Sequence, residues 1–104
     1  MTQSELFAAL ETLGLPVAYR LFKAATSPPY LVYFLVKNDD IGADNRNYVK
    51  VERYQAELYT AEKDPELEEQ LEGILKANKL VYTKTEAYID TEKLNQVVYS
   101  FQLI

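Results

Sequence analysis

Apolar residues fall along this chain in two rhythms. Leu6, Phe7, Leu10 and Leu13 share one helical stripe behind Thr2 and Glu5, which stand at capping-box spacing, and Gly14 follows. The pattern predicts a helix over about residues 3–13. Pro16 blocks its continuation. Over residues 17–23, Val17, Tyr19 and Leu21 alternate with Ala18, Arg20 and Phe22, the two-residue period of a strand. Ser27, Pro28 and Pro29 break the chain, and residues 30–36 (YLVYFLV) then form an unbroken run of strand-forming apolar and aromatic side chains.

That run is apolar on both faces: Tyr30, Val32, Phe34 and Val36 on one, Leu31, Tyr33 and Leu35 on the other. A half-solvated antiparallel strand alternates instead. Two explanations stand: a central strand covered by helices on one side and tolerating exposed aromatics on the other, or a second face that packs on another protein chain. Residues 38–47 (NDDIGADNRN) are turn formers and make a loop longer than a hairpin needs. Residues 48–60 read as extended. Val49 and Val51 lie on one parity and Tyr54, Ala56 and Leu58 on the other, so the phase slips at Glu52 and Arg53, where a β-bulge restores one buried face.

Asp64 reads as an N-cap and Pro65 as the first helical residue, with Leu67, Leu71, Ile74 and Leu75 as the buried stripe of a second helix ending near Asn78. Glu62, Asp64, Glu66, Glu68, Glu69 and Glu72 suit the positive end of its dipole and read as a solvated face, with Glu72 paired to Lys76 four residues on. Gly73 costs the helix about 1 kcal/mol relative to Ala and is read as a mark of close packing. Two strands follow, over residues 80–89 and 94–104, joined by a turn at 90–93. The order α-β-β-β-α-β-β with short turns predicts one domain over residues 1–104. Its class is α+β: a two-layer sandwich of an antiparallel sheet with both helices on one face.

Composition narrows the function. The chain has 104 residues, no Cys, no His and no Trp, and a formal charge of −5. A chain this size buries roughly 65% of its unfolded surface, enough for one core without staples. Without His or Cys there is no Ser-His or Cys-His nucleophile pair, zinc finger or disulfide. The acidic balance argues against nucleic acid as a primary partner. The first residues lack a basic segment followed by an apolar core, and no apolar run approaches the roughly 20 residues of a membrane span. The expectation is a soluble intracellular protein with no membrane partner.

Searching for chemistry yields little. The glycines at 14, 42 and 73 are isolated, so neither a P-loop nor a dinucleotide fingerprint is present. Asp39, Asp40 and Asp44 have the wrong spacing for an EF-hand. No catalytic residue, cofactor or metal is expected. The unusual feature is nine tyrosines, all in or beside predicted strands. Tyrosine suits a half-buried strand, and it is also enriched at protein interfaces.

The element order and several phrases resemble the tail-completion or tail-terminator proteins of long-tailed bacteriophages and prophages. The likeness rests on the leading helix, Pro28 to Tyr33 opening a core strand, and the polar loop. It continues with Tyr54 to Tyr59 running toward Lys63 to Leu67, then Ala87 to Glu92 and a last strand with Tyr99 and Phe101. The resemblance implies a non-enzymatic head-tail joining subunit of a ring, commonly six-fold, formed in many cases only on the tail. Its partners would be other copies, tail-tube proteins and head-connector proteins. Its place would be the bacterial cytoplasm during assembly and then the virion tail or neck. In this family the long loop often reaches the tube, which makes Asp39, Asp40, Asp44 and Arg46 candidates for axial contact. The chain is short for the family, so tail terminator and head-tail adaptor both stay open. The other candidate interface residues are Leu31, Tyr33 and Leu35 on the second strand face, with Tyr59 and Tyr82. The alternative is a small monomeric or dimeric adaptor domain of phage origin that binds one protein.

Overall fold

A computed structural model describes residues 1–41 and 49–104. The elements run α1 (Gln3–Glu11), β1 (Val17–Tyr19), β2 (Tyr30–Asn38), β3 (Glu52–Thr60), α2 (Pro65–Ala77), β4 (Tyr82–Ile89) and β5 (Leu94–Leu103). The class is α+β and the element order is the expected one. The capping box is made: Glu5 N donates to Thr2 Oγ1 at 3.1 Å and Thr2 N to Glu5 Oε1 at 2.8 Å. α1 ends two residues early, and Gly14 follows at φ +85°, a conformation glycine adopts without a Cβ penalty. Asp64 caps α2 through Leu67 N at 3.1 Å. Gly73 is exposed, and a Cβ there meets nothing within 4 Å, so close packing does not explain it. Neither helix is long and apolar enough to cross a membrane.

The sheet order is β1-β2-β3-β5-β4. All pairs are antiparallel except β1 with β2, which run parallel, so the sheet is mixed rather than wholly antiparallel. A parallel pair needs a crossover. Here residues 20–29 supply it without a helix. β1 is shorter than its sequence pattern because Arg20 turns to φ +69°, which breaks the alternation and leaves Leu21 63% exposed.

Leu6 and Leu10 of α1 and Leu71 and Leu75 of α2 pack with Leu31, Tyr33, Tyr54, Ala56, Leu58, Val97, Tyr99, Phe101 and Leu103 in one core. Register puts these strand residues on one face, so both helices cover the same side: Leu31 pairs with Leu58, Tyr33 with Ala56, and Ala56 with Tyr99. The phase slip is resolved on the partner strand. Leu35 pairs with Tyr54 but Lys37 with Arg53, so Val36 of β2 is the extra residue, and β3 alternates from Arg53 onward. Val51 is buried for a separate reason: it lies before β3 and is held by Asp39 N and Asp40.

Candidate interaction surface

The sheet has an inner face under the helices and an outer face that they leave open. On the outer face, Tyr30 of β2 stacks on Tyr59 of β3 with ring centroids 5.0 Å apart. Phe22, carried in by the crossover, meets Tyr30 edge-on at 5.4 Å. The Arg20 guanidinium lies 5.3 Å from the Phe34 ring centroid, within cation–π range. Val32 is buried beneath these groups, although it belongs to no part of the inner core. A groove of about 320 Å³ opens here, lined by Arg20, Phe22, Tyr30, Val32, Glu57 and Tyr59 among others. The Tyr59 hydroxyl donates to Glu57 and accepts from Gln96 Nε2, both at 2.8 Å. Burial first, and then the Glu57 carboxylate, push the Tyr59 phenol up to about 12. The patch is therefore aromatic and half-buried, with a cation over one ring and a fixed hydroxyl, a combination suited to protein recognition.

The sequence-predicted residues scatter. Leu31 and Tyr33 are 0% and 3% exposed in the chain's own core, so they are corrected from interface to core residues. Helix packing selects their parity. Leu35 and Tyr82 are half-buried against that core. Tyr82 packs edge-on to Tyr99 at 5.4 Å and donates to Glu72 at 3.2 Å, a structural role. Tyr59 does lie on the open face. Asp39 and Asp40 act as clamps. Asp39 accepts from Arg53 Nε at 2.8 Å and Gln102 Nε2 at 3.0 Å and pairs with Lys37, while Asp40 accepts from Val51 N at 2.9 Å. The Gln102 hydrogen bond, with Lys37 and Arg53, holds the Asp39 carboxyl below its ordinary range. Just beyond, Ile41 and Val49 exchange both backbone hydrogen bonds and close the ladder. Asp44 and Arg46 lie outside the described residues.

The acidic helix is only partly a solvated face. Glu68 is 2% exposed and receives Lys63 Nζ and Lys84 Nζ, both at 2.9 Å. Glu72 takes Lys84 Nζ at 2.8 Å and the Tyr99 hydroxyl at 2.7 Å, so its partner is Lys84 of β4 rather than Lys76. Burial raises both carboxyls, but the hydrogen bonds from these lysines and tyrosines outweigh it and leave both below the ordinary value. The same bonds raise Lys84, and burial together with Glu72 raises Tyr99. These acids are thus committed to charges that tie α2 to the end of the sheet. Glu68 and Glu72 precede Leu71 and Leu75 by three residues each, a spacing that places them beside the buried stripe and could have marked them.

Among solved structures, the fold matches a chain from the virion of a native gene transfer agent particle. The TM-score is 0.61 at 11% identity, covering 91% of this chain and 82% of that one. A second solved chain, whose name carries no function, matches with TM-score 0.56 at 17% identity, over 98% of this chain and 94% of that one. No family model and no curated protein sequence matches. At these identities the likeness establishes a shared fold.

Proposed function

We propose that this chain is a non-enzymatic structural subunit of a phage or phage-derived particle, a tail-terminator or head-tail joining ring protein, and that it assembles through the open face of its sheet. One observation carries the reading: the Phe22, Tyr30, Phe34 and Tyr59 patch, with Arg20 over it, faces away from the helices beside a groove of about 320 Å³. The shared fold with a virion chain supports the same reading. A ring is built from heterologous contacts that close by rotation, and a stable contact buries roughly 1,200–2,000 Å² in total. Other copies, the tail tube and the head connector are the expected partners, met in the bacterial cytoplasm and kept in the virion neck or tail.

Electron microscopy of the purified protein, alone and mixed with tail tubes, tests this. Rings or capped tube ends are expected with the wild-type chain and are lost with Phe34→Asp, whose melting temperature stays close to wild type. Capping that survives Phe34→Asp unchanged removes the open face from the mechanism. A chain that neither forms rings nor caps tubes removes the head-tail reading as well.

A further inference from the structure

The two edges of the sheet are built differently. β1 has three residues, follows Pro16 and ends at Arg20 in the left-handed region, the kind of short, interrupted edge that resists further pairing. β4 has eight residues, pairs with β5 from Tyr82 to Ile89 without a register break, and contains no proline. Its outer side meets no strand among the described residues. Thr83 to Tyr88 are all exposed, and two large apolar side chains flank the edge: Val81 at 89% and Tyr88 at 56% exposure. A long, regular, open edge of this kind is a template for another strand.

We propose that β4 is a homodimerisation site, pairing antiparallel with β4 of a second copy about a two-fold axis at Thr85 and joining two sheets into one of ten strands. The occupant is a second copy because this segment complements itself. With Thr85 opposite Thr85, Lys84 meets Glu86, Thr83 meets Ala87, Tyr82 meets Tyr88 and Val81 meets Ile89, and the two-fold axis repeats every pair. Opposed residues in an antiparallel pair project to the same face, so each of these contacts is physically available. The Lys–Glu and Tyr–Tyr pairs fall on the helix side, and the Val–Ile pairs on the other. Moving the axis to Lys84 or to Glu86 sets a charge against its own copy, which is unfavourable. Charge therefore excludes the two adjacent registers, and the Thr85 register is the one that pairs Lys84 with Glu86. Glu86 already holds Lys63, and Lys84 holds Glu68 and Glu72, but their side chains keep 42% and 35% exposure, so the contact across the axis extends this charge network rather than replacing it.

Such a strand pair is smaller than the roughly 1,200–2,000 Å² of stable complexes, so the dimer is expected to be concentration-dependent. It is also distinct from the ring contact. It is isologous, and it leaves the aromatic outer face free.

The absence of native cysteine gives a direct test. In the proposed register, Thr85→Cys places two thiols on Cα atoms about 4.5–5.5 Å apart, inside the span a disulfide bridges. Thr83→Cys, equally exposed, places its copies roughly 14 Å apart at ~3.4 Å per residue. Mild oxidation of the full-length chain should cross-link Thr85→Cys at least tenfold faster than Thr83→Cys. Sedimentation should show a reversible monomer–dimer equilibrium for wild type that Thr85→Lys shifts to monomer. Circular dichroism confirms that each variant is folded. Equal cross-linking of the two cysteine variants, or association unchanged by Thr85→Lys, overturns the pairing. Neither result bears on the outer-face reading, because Phe34→Asp is scored on rings and capped tube ends and the β4 variants on the two-fold dimer.

Discussion

Tyr33 and Phe34 are neighbours on one strand, yet one is sealed under α1 and the other looks out beneath an arginine. The inner side of β2 packs with four helical leucines. The outer side receives no helix among the described residues; the crossover covers Tyr30 with Phe22 and leaves Val36 44% exposed. Hydrophobic residues of similar size therefore do two jobs. Those under the helices supply the burial that holds the fold, and those on the open side supply a surface whose apolar area is still available to a partner.

Putting a charge on each side should separate these jobs most sharply. Tyr33→Asp removes a buried ring and buries an unpaired carboxylate, so it should cost about 4 kcal/mol or more, a large share of a total stability of order 5–15 kcal/mol. Phe34→Asp should cost about 1 kcal/mol or less, mainly the lost contact with Arg20. Urea denaturation of the pair reads the difference, and equal destabilisation would erase the contrast between the faces.

The second largest effect belongs to the charged end of the inner face. Lys84→Met strips Glu68 and Glu72 of their shared partner and should destabilise by about 1–2 kcal/mol, after allowance for the partial exposure of Lys84. Glu69→Gln, on the exposed helix surface, should stay within about 0.5 kcal/mol. Similar melts for both variants would mean that the network adds nothing to stability.

Acid offers a graded version of the same test. Glu68 and Glu72 sit below their ordinary value of 4.5, so their contribution is present above that pH and is lost as pH falls through their lower folded-state values. Thermal melts should fall more steeply below pH 4.5 for wild type than for Glu68→Gln; parallel curves would exclude the network as the cause.

Base probes the open side, with the smallest effect. The Tyr59 phenol, ordinarily at 10.0, is held up to about 12, so its contribution is complete below pH 10 and fades as pH rises from 10 to 12. Tyr59→Phe should flatten the alkaline loss of stability by part of one proton, visible as a shallower slope of melting temperature against pH.

Much of this architecture was legible in the chain. Thr2 with Glu5 and Asp64 with Pro65 announced both helix starts, because caps are local chemistry. The alternation of Tyr54, Ala56 and Leu58 with Gln55 and Glu57 already named the buried side of β3. What β2 could not say was which of its two apolar sides faced the helices. That depends on register, Leu31 against Leu58 and Tyr30 against Tyr59, and no single strand contains its own register. The parallel pairing of β1 was hidden for a similar reason. Its direction is decided by a crossover whose turning point, Arg20, is not a residue type that usually marks a left-handed turn. Glu68 escapes a sequence reading because charge usually signals solvent; Lys63 is close by in the chain, but Lys84, which completes the pocket, comes from β4.

The clamp at the far end of β2 has a consequence of its own. Asp39 and Asp40 fasten that end to Val51, Arg53 and Gln102, and the bridge between Ile41 and Val49 closes the ladder immediately beyond. One carboxylate, Asp39, thus reaches both β3 and β5 from the end of β2, so three strands are locked together at a single point and cannot slip independently.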